Sequence, residues 1–171
     1  MLLISLQIAC FVQEDPELFS LPLTDVNETS STFSQEVSLT DFAGSISLWY
    51  FGHATWGYCS SQFGLLNDIQ NELNADPQYA GSIFIIGVNH IDKSNGNESI
   101  TADRDLPWLQ DVADVGLWEQ WGVEYRDVYL VGADSTYNSQ YNLSALDLTN
   151  DDNKQTLIDA LTTLAEDSIA P

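Results

Sequence analysis

"SISLWYFGHATWGYCSSQF", residues 45–63, decides how the rest of the chain is read. Ser45 to Phe51 is a run of aromatic, branched and small residues, the composition of a β-strand. A second pattern follows almost at once. Cys59, Phe63, Leu66 and Leu73 recur at helical spacing, which predicts a helix over 59–74 that Asp76-Pro77 closes. A strand that feeds directly into a helix sets a thiol among free backbone N–H groups at the positive end of the helix dipole, where the thiolate is favoured. Cys59 is therefore a candidate redox thiol at the first turn of that helix. One helical turn earlier, where a partner thiol would stand, the sequence has Trp56, which is expected to contact Cys59.

Working outward, "FSLPLTDVN" (19–27) and "QEVSLTDFAG" (35–44) read as strand pieces joined by a turn at 27–32. "SIFIIGVN" (82–89) is a continuous apolar run, as in a parallel strand covered on both faces. "DLPWLQD" (105–111) reads as an extended entry, and "LWEQWGV" (117–123) as a short helix stopped by Gly122. "DVYLVGAD" (127–134) and "YNSQYNL" (137–143) form a hairpin around Asp134-Ser135. Residues 151–166 make the last helix, with Leu157, Ile158, Leu161 and Leu164 inward. The order β-β-β-α-β-α-β-β-α is that of a layered α/β sandwich with an N-terminal β extension. Residues 1–18 read as a leader and tether, and 19–171 as one domain.

The 171 residues carry 26 acidic against 4 basic side chains, a formal net charge of −22. Lys93, Arg104, Arg126 and Lys154 are scattered, too few and too dispersed to hold a phosphate backbone, which argues against nucleic-acid binding. The acids are spread along the chain, so they read as a heavily solvated surface or as a docking face for a basic partner. Two cysteines, Cys10 and Cys59, do not make a disulfide framework. "MLLISLQIAC" is too short to cross a bilayer. Its apolar run ending in Ala9-Cys10 resembles a bacterial lipobox, which makes Cys10 a candidate lipid-attachment site and the chain an exported, envelope-anchored protein. A buried N-terminal strand is the alternative. Asn27, Asn97 and Asn142 begin Asn-x-Ser/Thr sequons, which matter only in a eukaryotic secreted protein.

"VSLTDFAGSISLWYFGHATWGYC" (37–59) resembles the opening of redoxin and peroxiredoxin-like domains, and "LPWLQD", "LWEQWGV" and "DVYLV" resemble their later part. Ala54, Thr55, Cys59 and Gln62, with "VNH" (88–90), look most like the N-terminal domain of selenoprotein P and its bacterial relatives. The resemblance implies a thioredoxin-like three-layer α/β/α sandwich and thiol or selenol oxidoreductase activity, peroxidase-like or reductase-like, with no bound cofactor. A thiol reductant or a peroxide would be the partner. In that family the residue three before the cysteine is selenocysteine or cysteine; here it is Trp56. Two further departures concern thioredoxins at large. "EYRDVYL" lacks the proline expected before the strand facing the redox site, and the position of the buried acid in the central strand falls on Tyr50.

Cys59 aligns with the resolving member of the motif. It reads either as a buried, inert thiol or as one able to form a sulfenic acid or a mixed disulfide. His53 and His90 sit just past predicted parallel strands, the edge at which sites gather in open α/β sheets. They are expected to converge near Cys59, although no paired ligand spacing marks a metal site. Two functions follow. One is a selenol or thiol oxidoreductase whose residue 56 is encoded by UGA, a codon that some genetic codes read as tryptophan, with Cys59 as resolving thiol. The other is a redox-inactive binding or scaffold protein in which Trp56 fills the nucleophile's place.

Overall fold

The computed structural model describes residues 20–169. The central sheet has the strand order β5-β4-β3-β6-β7. Here β3 is Ile46–Gly52, β4 Ile83–Asn89, β5 Trp108–Gln110, β6 Asp127–Val131 and β7 Tyr137–Asn142. β3 pairs in parallel with β4, and β4 with β5; β6 runs antiparallel to β3 and to β7. The helices are α1 (Gly57–Ala75), α2 (Asn97–Thr101), α3 (Leu117–Trp121) and α4 (Asp151–Ile169). The mixed α/β sandwich expected from the sequence is present.

The unbroken apolar character of β3 has a simple cause. Successive strand side chains point to opposite faces, and both faces are covered. Ile46, Leu48 and Tyr50 join the core beneath α1 and α4, with Phe63, Leu66, Leu157 and Leu161. Trp49 and Phe51 point the other way, into a second core with Trp118 and Trp121 of α3 and with Leu23, Val37 and Leu39 from the N-terminal segment.

That segment differs from its expected form. The two strand pieces shrink to β1 (Leu23–Thr24) and β2 (Glu36–Val37), paired antiparallel as a separate two-stranded sheet. "LTDF" is a 3-10 turn rather than strand, because the backbone N–H and hydroxyl of Ser38 both donate to the Asp41 carboxylate and curl the chain. Buried Asp25 fastens the extension to the sheet edge: its carboxylate accepts from the Trp108 N–H at 3.0 Å, the Asn27 N–H at 2.9 Å and the Thr32 hydroxyl at 2.7 Å. The extended entry at 105–111 becomes β5, and residues 91–101, for which the sequence predicts no element, form a 3-10 turn followed by α2. α3 stops where expected, with Gly122 in the left-handed conformation at φ 62°. Among the described residues no helix is long and apolar enough to cross a membrane. Cys10 and the residue 1–18 leader lie outside the described residues.

Candidate functional site

β3 delivers the site. Its last residue, Gly52, is followed by the buried His53 and Ala54, then Thr55, and Trp56 is the N-cap of α1. Trp56 is 41% exposed, whereas Cys59, in the first turn of α1, is completely buried. The expected first-turn position of Cys59 is therefore found, with the helix starting two residues earlier than its periodicity predicts. The two positions differ sharply in access. Residue 56 is open to solvent, and Cys59, three residues further along the chain, is not. The first turn of α1 contains no acid to oppose the helix dipole.

The loop before α1 is held from several directions. Asn89, buried at the end of β4, accepts from the Ala54 N–H at 3.1 Å. Its amide donates to Asn97 and to Gln110, both at 2.8 Å, and Asn97 also accepts from the Trp108 indole at 2.9 Å. Gly96 lies so close that a β-carbon there would stand 2.6 Å from the Ala54 carbonyl carbon. Gln62 has a structural role too. It is buried, donates to Asp147 at 2.8 Å and accepts from the Leu148 N–H at 3.0 Å, tying α1 to the loop before α4. The Asn27 side chain is buried and donates to two backbone carbonyls, so among the sequons this one is closed to glycosylation in the folded chain.

The two histidines lie near each other, and it is His53 that packs on residue 56. The His53 ring stacks on Trp56 with centroids 4.3 Å apart and an interplanar angle of 16°. His90 lies 6.2 Å from His53. Tyr125, 37% exposed, packs 4.7 Å from Trp56 and 5.5 Å from His53. Trp118 of α3 presents its edge to His90 at 5.0 Å. The His53 Nδ1 shares a hydrogen bond with the Thr55 hydroxyl at 3.0 Å. Burial, then the positive charges of Lys93 and His90, lower the His53 pKa below its ordinary value of 6.5, favouring neutral imidazole near neutral pH. A cleft of about 470 Å³ opens beside this group, lined by His90, Ile91, Asp111, Gly116, Trp118 and Val123. No cluster of three or more His, Cys, Asp or Glu side chains able to hold a metal ion exists among the described residues.

On the other side of α1, Tyr50 meets Cys59. The fully buried phenol donates to the Cys59 carbonyl at 3.2 Å. Burial, and then the charge and hydrogen bonding of the Cys59 side chain, push the Tyr50 pKa well above its ordinary range. The sequence placed Tyr50 at the buried-acid position without giving it a role, and it gave no sign of Tyr125 or Trp118. Those two come from loops and helices brought in by the antiparallel half of the sheet.

A layered α/β sandwich with a candidate site at the strand-to-helix junction is the thioredoxin-like fold, and solved structures agree. The chain is similar to the thioredoxin domain of a thiol-disulfide oxidoreductase from Bacteroides vulgatus, with TM-score 0.59 and 17% identity over 84% of this chain and 94% of that one. It is also similar to BsSco, a member of the Sco family of cytochrome c oxidase assembly proteins, with TM-score 0.62 and 15% identity over 89% and 95%. A third is a secreted disulfide oxidoreductase from Mycobacterium tuberculosis homologous to E. coli DsbE, with TM-score 0.52 and 13% identity over 72% and 83%. No protein-family model matches the sequence, and no curated protein matches it significantly. At these identities the likeness establishes the fold.

Proposed function

We infer that this chain is a thioredoxin-fold selenol oxidoreductase in which residue 56 is the nucleophile, inserted natively as selenocysteine at a UGA codon, and Cys59 is the resolving thiol. One observation carries the reading: the exposed N-cap of α1 lies one helical turn before a completely buried cysteine. An accessible nucleophile above a protected resolver is the arrangement a two-step exchange requires. Tryptophan has no group for that task, and a buried thiol alone has no access to substrate.

The chemistry closes with a peroxide as oxidant and thiols as reductant. The selenolate attacks the peroxide oxygen, the O–O bond breaks, and with one proton an alcohol and a selenenic acid result. The Cys59 thiol then displaces water to give a 56–59 selenenylsulfide, which two reductant thiols reopen as their own disulfide. Thiol-bearing proteins suit the same site, as the names of the oxidoreductases of like fold indicate. Export, with Cys10 as a lipid anchor and a domain running from about residue 19, completes the proposal. The resemblance of Ala54, Thr55, Cys59 and Gln62 to the selenoprotein P domain supports it.

A second reading has its own observation. The Trp56 ring packs against both His53 and Tyr125, at 4.3 and 4.7 Å, as a genuine tryptophan of a binding surface would. The codon at position 56 and the intact mass of the protein from its native host decide between the two. UGA and one selenium atom are expected; UGG, or a mass without selenium, overturns the oxidoreductase and leaves the binding protein.

A further inference from the structure

β7 is the last strand in the sheet order, and among the described residues no strand pairs with its outer side. The opposite edge of the sheet is closed by the chain itself. Asp25 bridges Leu109 there, and the Val26 N–H donates to the Trp108 carbonyl at 2.9 Å. An edge strand presents a row of N–H and C=O groups able to take another strand, and proteins commonly guard such an edge with charges or proline. β7 has neither. Residues 135–146 carry no charged side chain and no proline, in a chain of net charge −22. The register shift between β6 and β7 stands at Leu130/Val131 and leaves Ser139–Asn142 in regular pairing.

Beside this edge runs a groove of about 400 Å³, lined by Asn138, Ser139 and Tyr141 of β7 and by Asp159, Thr163 and Asp167 of α4. Both acids are exposed, and none of the chain's four cations lines the groove. Lys154 pairs with Glu72 at 3.0 Å, Arg126 lies 5.0 Å over the Tyr58 ring, Arg104 donates to the Ser60 hydroxyl at 3.1 Å, and Lys93 is in the 3-10 turn after β4. Asp159 and Asp167 are two turns apart on α4, roughly 12 Å along its axis. In an extended strand, residues four apart share a face and are about 13 Å apart.

We propose that β7 and the groove beside it dock an extended basic segment of a partner protein. The segment adds to the five-stranded sheet at its open edge. Two Lys or Arg side chains four residues apart then reach Asp159 and Asp167. Main-chain bonds to β7 supply affinity, and the two carboxylates select the cationic side chains. The field of so acidic a chain draws a basic segment toward this edge and repels a second copy of the chain. The inference is independent of the identity of residue 56.

The test uses the full chain and a synthetic peptide, acetyl-Thr-Lys-Val-Thr-Val-Lys-Thr-amide. In ¹⁵N-labelled protein at low salt, the peptide should shift the amides of residues 138–142 and protect them from exchange. Affinity should fall as salt is raised. It should fall by about fivefold in the double variant Asp159→Asn/Asp167→Asn, which loses two exposed ion pairs and keeps the fold. The same peptide N-methylated at its three central residues has the same charge but cannot add as a strand, and it should leave β7 unprotected. Equal binding by the N-methylated peptide, or undiminished binding to the double variant, would reduce the effect to general attraction by an acidic surface and overturn the proposal. Amides of β7 that do not respond to the lysine peptide overturn it as well. Concentration-dependent dimerisation of the chain alone, protecting the same amides, would give the edge to a second copy and has the same consequence.

Discussion

The imidazole of His53 lies parallel to the indole of Trp56, 4.3 Å away, and completes a packed aromatic group with Tyr125 and His90. Residue 56 is thus exposed on one side and backed by a neutral histidine on the other.

Protonating His53 is harder in the folded chain than in the unfolded one, because burial lowers its pKa from 6.5. Its contribution to stability is therefore fully present above pH 6.5 and is lost as the pH falls from there through the lowered folded value. Imidazole NMR should give a midpoint below 6.5 for His53. In His53→Gln, chemical denaturation should show a shallower loss of stability just below pH 6.5. An unchanged slope would remove His53 from this role.

Trp56→Cys tests the layout of the motif in the chain itself. With thiols at 56 and 59, mild oxidation should form an intramolecular disulfide, read as a loss of two hydrogens in the intact mass. The variant should also gain dithiol turnover that the Trp56 chain lacks. Two thiols that stay reduced under oxidant would show that residues 56 and 59 do not share a site.

Gly96→Ala should loosen the loop that carries residue 56. Its β-carbon would meet backbone, the Ala54 carbonyl carbon at 2.6 Å and oxygen at 2.7 Å, and backbone does not swing aside as a side-chain tip does. A loss of about 1–3 kcal/mol is expected in denaturant unfolding, with faster amide exchange at Thr55 and Trp56. Wild-type stability would mean that the loop accommodates the methyl group freely.

Asn89→Ala leaves the Ala54 N–H without its acceptor and takes one donor each from Asn97 and Gln110, which keep those of the Trp108 indole and the Asn97 amide. Since a buried group left unpaired costs about 1–3 kcal/mol, a loss of that order should appear in thermal or denaturant unfolding. A neutral effect would mean that water replaces the amide.

Local pattern was enough for β3, β4, α1 and α4. Their apolar residues recur with the period of the element that buries them, so Ile46–Gly52, Ile83–Asn89 and the faces of the two long helices are legible one residue at a time. The Trp56–Cys59 spacing and the position of both at the start of α1 were legible for the same reason. Short elements were not. β1 and β2 have two residues each, and the Ser38–Asp41 hydrogen bonds outweigh the strand-forming composition of the segment around them. Arg126, at φ 71°, takes a left-handed conformation that its residue type does not announce. The meeting of His53 and Tyr125 at residue 56, with His90 and Trp118 packed beside them, and of Tyr50 with Cys59 depends on which strands pair and which face each helix covers. Those are contacts between residues far apart in the chain or on opposite elements, set by the burial of two cores at once, and no local run of sequence carries them.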